Sequence, residues 1–266
     1  MGVIRLPATE LSGVPLSDAG PLHREIVTGP DLWSQIGSAW VDVLEKTGET
    51  SAFHAANWVR VWLEHFGERL QTRAIVWSDR DQQPVACALM SLGSGQVGPL
   101  PLSRCYLNTS GASEAWCEHN DVLAVEEAKA GVLSDLVSLV LAEAPDEFAL
   151  TGVRSGTLER LREHWPTDAL EGFSSEAPFV DLDALRAGRR GYLSFLSGNT
   201  RAQIRRSIRL YEDRFGVAEV SAARDVPEAL DWFGELVDMH ERRWAREGTT
   251  GAFSSPTTLA FHRQLL

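Results

Sequence analysis

The sequence predicts an α/β (α+β) protein, and three observations carry that expectation. Between His23 and Trp165, short apolar or β-branched runs alternate with stretches whose apolar residues recur at helical spacing. Two of the runs, Arg73–Trp77 and Pro84–Leu92, are joined by the polar turn Asp79-Arg80-Asp81-Gln82-Gln83 and read as a β-hairpin. Two strongly periodic helices then follow, one starting near Asn199 and one near Asp225.

Taken in order, residues 1–22 are rich in Pro, Gly, Ser and Leu without periodicity and read as a poorly ordered leader. His23–Val27 is a first strand. Asp31 is placed to cap a helix carrying Trp33, Ile36, Trp40, Val43 and Leu44, and a second helix spans about 52–66 with Phe53, Trp58, Trp62 and Phe66 on one face. After the hairpin, Arg104–Asn108 is a strand, and a helix from about Glu126 buries Val132, Leu136, Val137 and Val140. Glu147–Val153 returns as a buried strand, and Leu158, Leu161 and Trp165 mark a short helix. Residues 172–176 have linker character. Pro178–Leu182 and Val217–Val220 are expected as strands on either side of the Asn199 helix, which Asn199 or Thr200 caps and Gly216 ends. Asp225, with Pro227 and Glu228 behind it, is a capping signal for the last long helix.

Length and composition fit one large or two modest globular domains: 266 residues, 44% hydrophobic and 23% charged. The net charge of −12 argues against non-specific nucleic-acid binding over the whole surface. One element opposes that sign. Eight arginines stand against Glu212 and Asp213 between Arg186 and Arg214, a local +6, while the remaining chain sums to −18. Arg201, Arg205 and Arg209 follow at i+4, either as a solvated face or as an anion site that uses the planar guanidinium fork. Cys87, Cys105 and Cys117 lack C-x-x-C spacing, so neither a disulfide framework nor a metal site is expected. With no signal peptide and no long apolar run, the expected location is cytoplasmic.

Three motifs invite chemistry. Gly93-Ser94-Gly95-Gln96-Val97-Gly98 matches G-x-G-x-x-G, but Pro99 and Pro101 bar the helix that a dinucleotide site requires, so it reads as a loop. Glu118-His119-Asn120-Asp121 groups acid and imidazole without a nucleophile and reads as a polar loop before a helix. His240-Glu241-Arg242-Arg243-Trp244 lacks the second histidine of a zinc-protease helix. His240 sits on an apolar stripe, which leaves it either a hydrogen-bonded core histidine or a proton-transfer group.

The aromatic helix with Phe53, Trp58 and Trp62, the Asn199–Arg206 run, and His240 with Arg243 and Trp244 resemble the GNAT-related acyltransferases of the cellulose-biosynthesis, CelD-like group, which are themselves similar to FemAB-type aminoacyl transferases. The resemblance covers the chain from about residue 23. It implies tandem GNAT-like domains, 23–176 and 177–266, each with a mixed central sheet flanked by helices. The second is expected to be incomplete, because its 88 residues from Phe179 fall short of the roughly 150 of an ordinary domain.

The resemblance further implies transfer of an acyl group from acetyl-CoA or another acyl-CoA to an amine or hydroxyl of a small-molecule or cell-envelope polysaccharide precursor. It implies anion binding by Asn199, Arg201, Arg205, Arg243 and Trp244, with His240 assisting proton transfer and no metal. Two other readings stay open. One is FemAB-like aminoacyl transfer, with the arginines facing tRNA phosphates; the other is a non-catalytic binding or scaffold protein. No DNA partner and no transmembrane segment are expected, and the oligomeric state is left open.

Overall fold

The computed structural model describes residues 2–5, 22–48, 50–97, 99–165, 170–172, 178–188 and 191–266. The chain divides into two compact units, one of Met1–Ser174 with Phe233–Leu266 and one of Ser175–Trp232. The sequence groups 177–266 together, whereas in the structure the last 34 residues cluster with the first unit.

The first unit is built on a mixed sheet of eight strands among the described residues: β1 Gly2–Arg5, β2 His23–Val27, β3 Arg73–Ser78, β4 Pro84–Val97, β5 Leu100–Leu107, β6 Leu123–Ala124, β7 Glu147–Leu150 and β8 Leu170–Gly172. Their order is β2-β3-β4-β5-β7-β1-β8, with β6 paired to β4. The β3–β4 hairpin forms as expected, and among the described residues every strand pairing is antiparallel except β5 with β7. Parallel neighbours need a crossover, supplied by helix α3, Glu126–Glu143. Part of the expected leader is sheet, since β1 inserts between β7 and β8, while residues 6–21 lie outside the described residues. The glycine-rich stretch is strand rather than loop: Gly93–Val97 pairs with Leu100–Arg104. A Cβ on Gly93 would stand 2.9 Å from the Tyr106 ring and one on Gly95 3.0 Å from the Arg104 guanidinium, so these glycines make room for cross-strand side chains.

Strand alternation sends side chains to two cores. Ile75, Trp77, Ala86, Ala88 and Met90 face α3 and helix α4, Ser155–His164, and meet Val132, Leu136, Val140 and Leu161. Ala74, Val76, Cys87 and Leu89 face the other side, where helices α1, Leu32–Lys46, and α2, Ala56–Trp62, pack. Helix α2 continues as a π-turn over Leu63–Gly67. Trp40, Val43, Trp62 and Phe66 are fully buried here, each contributing roughly 1.5–3 kcal/mol or more. Asp31 stands at the α1 N-cap position in the left-handed region and caps through its carbonyl, not its side chain.

The same core takes in Phe261 of the C-terminal helix α8, Pro256–Leu265. Phe261 is fully buried and its ring lies 5.1 Å from Trp58 and 5.4 Å from Phe66. At the rim, Asn57 Nδ2 donates to the Leu265 carbonyl at 3.4 Å and His65 Nε2 pairs with Gln264 Oε1 at 2.7 Å.

The second unit holds helix α5, Leu182–Ala187, a 3-10 turn at Tyr192–Phe195 and helix α6, Gly198–Phe215; helix α7, Val226–Arg246, begins in it. Two expected strands are absent. Asp181 instead caps α5 by accepting the Ala184 N–H at 2.8 Å, and Val217–Val220 is coil with Val220 fully exposed, because no strand among the described residues lies beside it to complete a ladder. Helix α6 starts earlier than expected, with Ser197 Oγ accepting the Thr200 N–H at 3.2 Å, and ends at Gly216 with φ +87°. Asp225 caps helix α7 as expected, accepting the Glu228 N–H at 2.9 Å, while Glu228 reaches back past the cap residue to the Arg224 N–H at 2.7 Å.

Two stretches repeat one local plan. Helix α1 ends at Lys46, a 3-10 turn covers Ala52–His54, and α2 starts at Ala56; helix α7 ends at Arg246, a 3-10 turn covers Ala252–Ser254, and α8 starts at Pro256. Each boundary is displaced by 200 residues, and both turns begin Ala-Phe.

Candidate functional site

Helix α6 carries the basic charge outward. Among the described residues none of Arg201, Arg205, Arg206, Arg209 and Arg214 forms an ion pair with a carboxylate, Glu212 and Asp213 of the same helix included. Arg201 donates from Nη1 to the Leu196 carbonyl at 2.9 Å, which holds that side chain against the helix start. Asn199 lies exposed in the first turn and Arg205 one turn beyond Arg201. Guanidiniums without carboxylate partners at i+4 suit phosphate oxygens.

Helix α7 carries the other named residues. The Trp244 indole N–H donates to His240 Nε2 at 2.9 Å, and His240 Nδ1–H faces Glu241 Oε1 at 3.4 Å. Arg243 stands 5.9 Å over the Trp244 ring and leans toward Glu247 at 3.5 Å. The structure thus brings His240, Arg243 and Trp244 together, in the first unit, while Asn199, Arg201 and Arg205 belong to the second.

The chain then doubles back. Gly248, with φ +75°, ends α7, the Thr249 N–H reaching the Trp244 carbonyl at 3.1 Å and the Gly248 N–H the Ala245 carbonyl at 3.2 Å. This turn lays Gly251 against the imidazole: a Cβ there would lie 2.6 Å from His240 Nδ1 and closer still to Glu241 Oε1, so only glycine fits. Phe253 meets the His240 ring edge to face at 5.0 Å and the His262 ring at 5.5 Å. His262 donates from Nδ1–H to the Thr258 carbonyl at 2.8 Å and stacks at 6.4 Å and 15° on Phe233. Gly251, Phe253 and His262 were not singled out as site residues by sequence reasoning. The available signal was the repeated Ala-Phe turn, two identities that become visible only once the flanking helices align.

Glu118–Asp121 resolves as structure. The loop 108–122 lies beyond the C-terminal ends of the parallel strands β5 and β7, where open α/β sheets commonly bind ligands. Here the loop itself fills that place. Asn108 accepts the Leu89 N–H at 2.9 Å and donates to the Asp121 carbonyl at 2.6 Å; Asn120 donates to the Leu107 carbonyl at 2.7 Å. Thr157 Oγ1 donates to Asp121 Oδ2 at 2.5 Å, and Lys129 Nζ lies 3.6 Å from the same oxygen. Gly152, with φ +68°, is pressed so tightly on the loop that a Cβ would fall 2.8 Å from Glu118 Cα. His54 Nε2–H donates to the Asp121 carbonyl at 2.7 Å while Nδ1 accepts from Ser51, and burial lowers its pKa below the ordinary 6.5. His119 is exposed, and its carbonyl accepts from Ser51 Oγ at 3.1 Å.

Burial also pushes the thiols of Cys87 and Cys105 up to about 12 and of Cys117 to about 11, which leaves them unreactive apolar fillers. Among the described residues no group of three His, Cys, Asp or Glu side chains converges on a metal site, and no helix is long and apolar enough to cross a membrane.

Residues 198–266, spanning α6, α7 and α8, match the family described as acetyltransferase (GNAT) domain. The match supports acyl transfer. No curated protein matches the chain. Among solved structures, a protein from Enterococcus faecalis described as a "Probable N-Acyltransferase" is 9% identical over 47% of this chain, with a TM-score of 0.28; this chain spans 28% of its length. A Trypanosoma brucei acetyltransferase is 13% identical over 61% of this chain and 99% of its own (TM-score 0.34), and an aminoglycoside 6'-N-acetyltransferase from Acinetobacter baumannii 12% over 60% and 100% (TM-score 0.36).

Proposed function

We propose that the chain is a GNAT-type acyltransferase of the CelD-like group that moves an acyl group from acetyl-CoA or another acyl-CoA to an amine or hydroxyl of a small-molecule or cell-envelope precursor. The observation that carries this reading is the family match over 198–266, the same residues that hold the unpaired arginines and the His240–Trp244 cluster. The repeated helix, Ala-Phe turn, helix plan at a displacement of 200 supports two GNAT-like units in tandem, with the second drawn from 177–266.

The donor chemistry fits the co-substrate. Coenzyme A presents phosphates; Asn199 and Arg205 offer exposed donors, and half-buried Arg201 keeps guanidinium N–H groups beyond the Nη1 bond to Leu196, with no carboxylate partner among the described residues. The acyl donor supplies a thioester carbonyl; the protein's part is to orient the acceptor, remove its proton and keep the reacting carbon in a partly dry aromatic setting, for which the half-buried imidazoles against Phe253 are suited.

Calorimetric titration of the chain with acetyl-CoA tests the reading. Arg205→Ala is exposed and should leave the unfolding temperature unchanged while weakening binding about tenfold or more, the worth of one charge-assisted bond of about 1.5–3 kcal/mol. Binding of tRNA that collapses with added salt, in place of acetyl-CoA binding, would favour aminoacyl transfer. Retained binding of neither ligand would favour a scaffold.

A further inference from the structure

We propose that His262 is the proton acceptor of this site, acting through Nε2, and that His240 is held out of that role; the inference rests on the acyl-transfer reading and deepens it. A histidine that takes a proton needs one ring nitrogen free and the other tied down so that the tautomer is fixed. His262 meets both conditions. Its Nδ1–H is given to the Thr258 carbonyl at 2.8 Å, which places the lone pair on Nε2, and no described residue is a hydrogen-bond partner of that nitrogen. Thr258 is itself buried at 3%, and its N–H is capped by Ser255 Oγ at 3.3 Å, so the anchoring carbonyl sits in a fixed first turn.

The ring is also held from three sides. Phe233 lies parallel to it at 6.4 Å, while Phe253 at 5.5 Å and Phe261 at 5.2 Å stand perpendicular. Three aromatic neighbours leave the imidazole little freedom to turn, and Phe261 is anchored in the core against Trp58 and Phe66. The ring nonetheless remains half-buried rather than sealed. Such a group is oriented before any ligand arrives.

His240 has the opposite arrangement. An indole N–H can only donate, so the Trp244 contact at 2.9 Å consumes the lone pair of Nε2, and Nδ1–H is directed to Glu241. Protonating His240 would set two N–H groups against each other. Its ring packs on Phe253, the same ring that meets His262.

In the step assigned to His262, the acceptor nitrogen or oxygen uses its lone pair to form a bond to the acyl carbon. The proton it sheds passes to Nε2, and the carbon–sulfur bond breaks with its electron pair leaving on sulfur. The thiolate then recovers the proton from His262, giving the acylated acceptor and the free thiol, with no oxidant or reductant involved.

Diethyl pyrocarbonate, which modifies imidazole nitrogens that have a free lone pair, tests the assignment on the full chain, read by peptide mass mapping with and without 1 mM-range acetyl-CoA. Alongside it, thiol release from acetyl-CoA is followed with water as acceptor, for the wild type and His262→Gln. His262 should be modified about tenfold faster than His240 or more, acetyl-CoA should slow that modification, and His262→Gln should lower thiol release about 10²-fold, the low end for general base catalysis. Equal or faster modification of His240 overturns the proposal whether or not the variant folds. Binding of acetyl-CoA without protection of His262, or undiminished thiol release by a folded His262→Gln, overturns the proposal and leaves acyl transfer standing. Acetyl-CoA neither bound nor cleaved overturns the acyl-transfer reading and this assignment with it.

Discussion

Phe261 is where the C-terminal helix is tied to the first unit, and removing its ring gives a quantity that the packing fixes in advance. The side chain is fully buried, 5.1 Å from Trp58 at 87° and 5.4 Å from Phe66, with His65 at 5.9 Å. Phe261→Ala therefore removes a complete aromatic side chain from a close-packed core. The expected cost is about 3–5 kcal/mol, the range for Phe→Ala at such sites. For a unit of this size each kcal/mol moves the midpoint by about 2–4 °C, so a fall of roughly 10 °C is expected. Burial alone would give that figure wherever the ring sat, so the pair with Trp58 needs its own measurement. In a double-mutant cycle of Phe261→Ala with Trp58→Ala, the loss of the Trp58 hydrogen bond to Thr109 Oγ1 cancels, and an edge-to-face coupling of about 0.5–1.5 kcal/mol should remain. Urea unfolding with a constant m-value is the assay. A cost for Phe261→Ala below about 1 kcal/mol, or a coupling indistinguishable from zero, would refute the seating of α8 on α2.

Three further outcomes are expected. Gly251→Ala must displace His240 Nδ1, which a new Cβ would meet at 2.6 Å, so it should destabilise by about 1–3 kcal/mol and change the Trp244 fluorescence as the indole loses its acceptor. His54 is held neutral by burial with its folded pKa below 6.5; as pH falls through 6.5 the unfolded chain binds a proton that the folded chain refuses. Stability should therefore decline from pH 6.5 downward until the folded pKa is passed, and urea midpoints of His54→Gln should lack that part of the slope. Glu114, bound at 2.6 and 3.0 Å by the Arg69 guanidinium, should titrate at about 2 by carbon NMR, and Arg69→Met should return it to the ordinary carboxylate range.

The layered first unit is legible in the sequence because each of its elements carries a complete local signal. The period-two pattern of β3 and β4 splits Ile75 and Trp77 from Ala74 and Val76, and the two cores follow from that split. Turn residues Asp79–Gln83 set the hairpin. Where the local signal was weaker than the partner's demand, the expectation failed. Gly93–Val97 reads as loop because glycine and proline disfavour strands, yet β5 offers a ladder and large side chains, Arg104 and Tyr106, that require glycine opposite them. Gly2–Arg5 is four residues without periodicity, and only β7 and β8 on either side make it a strand. The reverse holds for Val217–Val220, which has β-branched residues and no ladder to join.

Of the candidate site, the sequence gives contacts within one helix and not the arrangement between helices. His240, Arg243 and Trp244 stand out because i+3 and i+4 spacing on a helix predicts contact, and that contact forms. What spacing within one helix cannot give is the second wall. Phe253 reaches His240, with His262 packed on the Phe253 ring, only because Gly248 ends α7 with a left-handed turn and Gly251 lets the returning backbone pass against the imidazole without a Cβ. Neither glycine has a chemical function; they bring Phe253 against the imidazole, while the free nitrogen of each histidine is set by a partner within its own helix. The Trp244 indole closes His240 Nε2, whereas the carbonyl of Thr258, one turn back along α8, closes His262 Nδ1 and opens Nε2. Sequence reasoning picks out His240 alone, because side-chain identity does not show which ring nitrogen is occupied; the hydrogen-bond partner of each ring is what distinguishes His240 from His262.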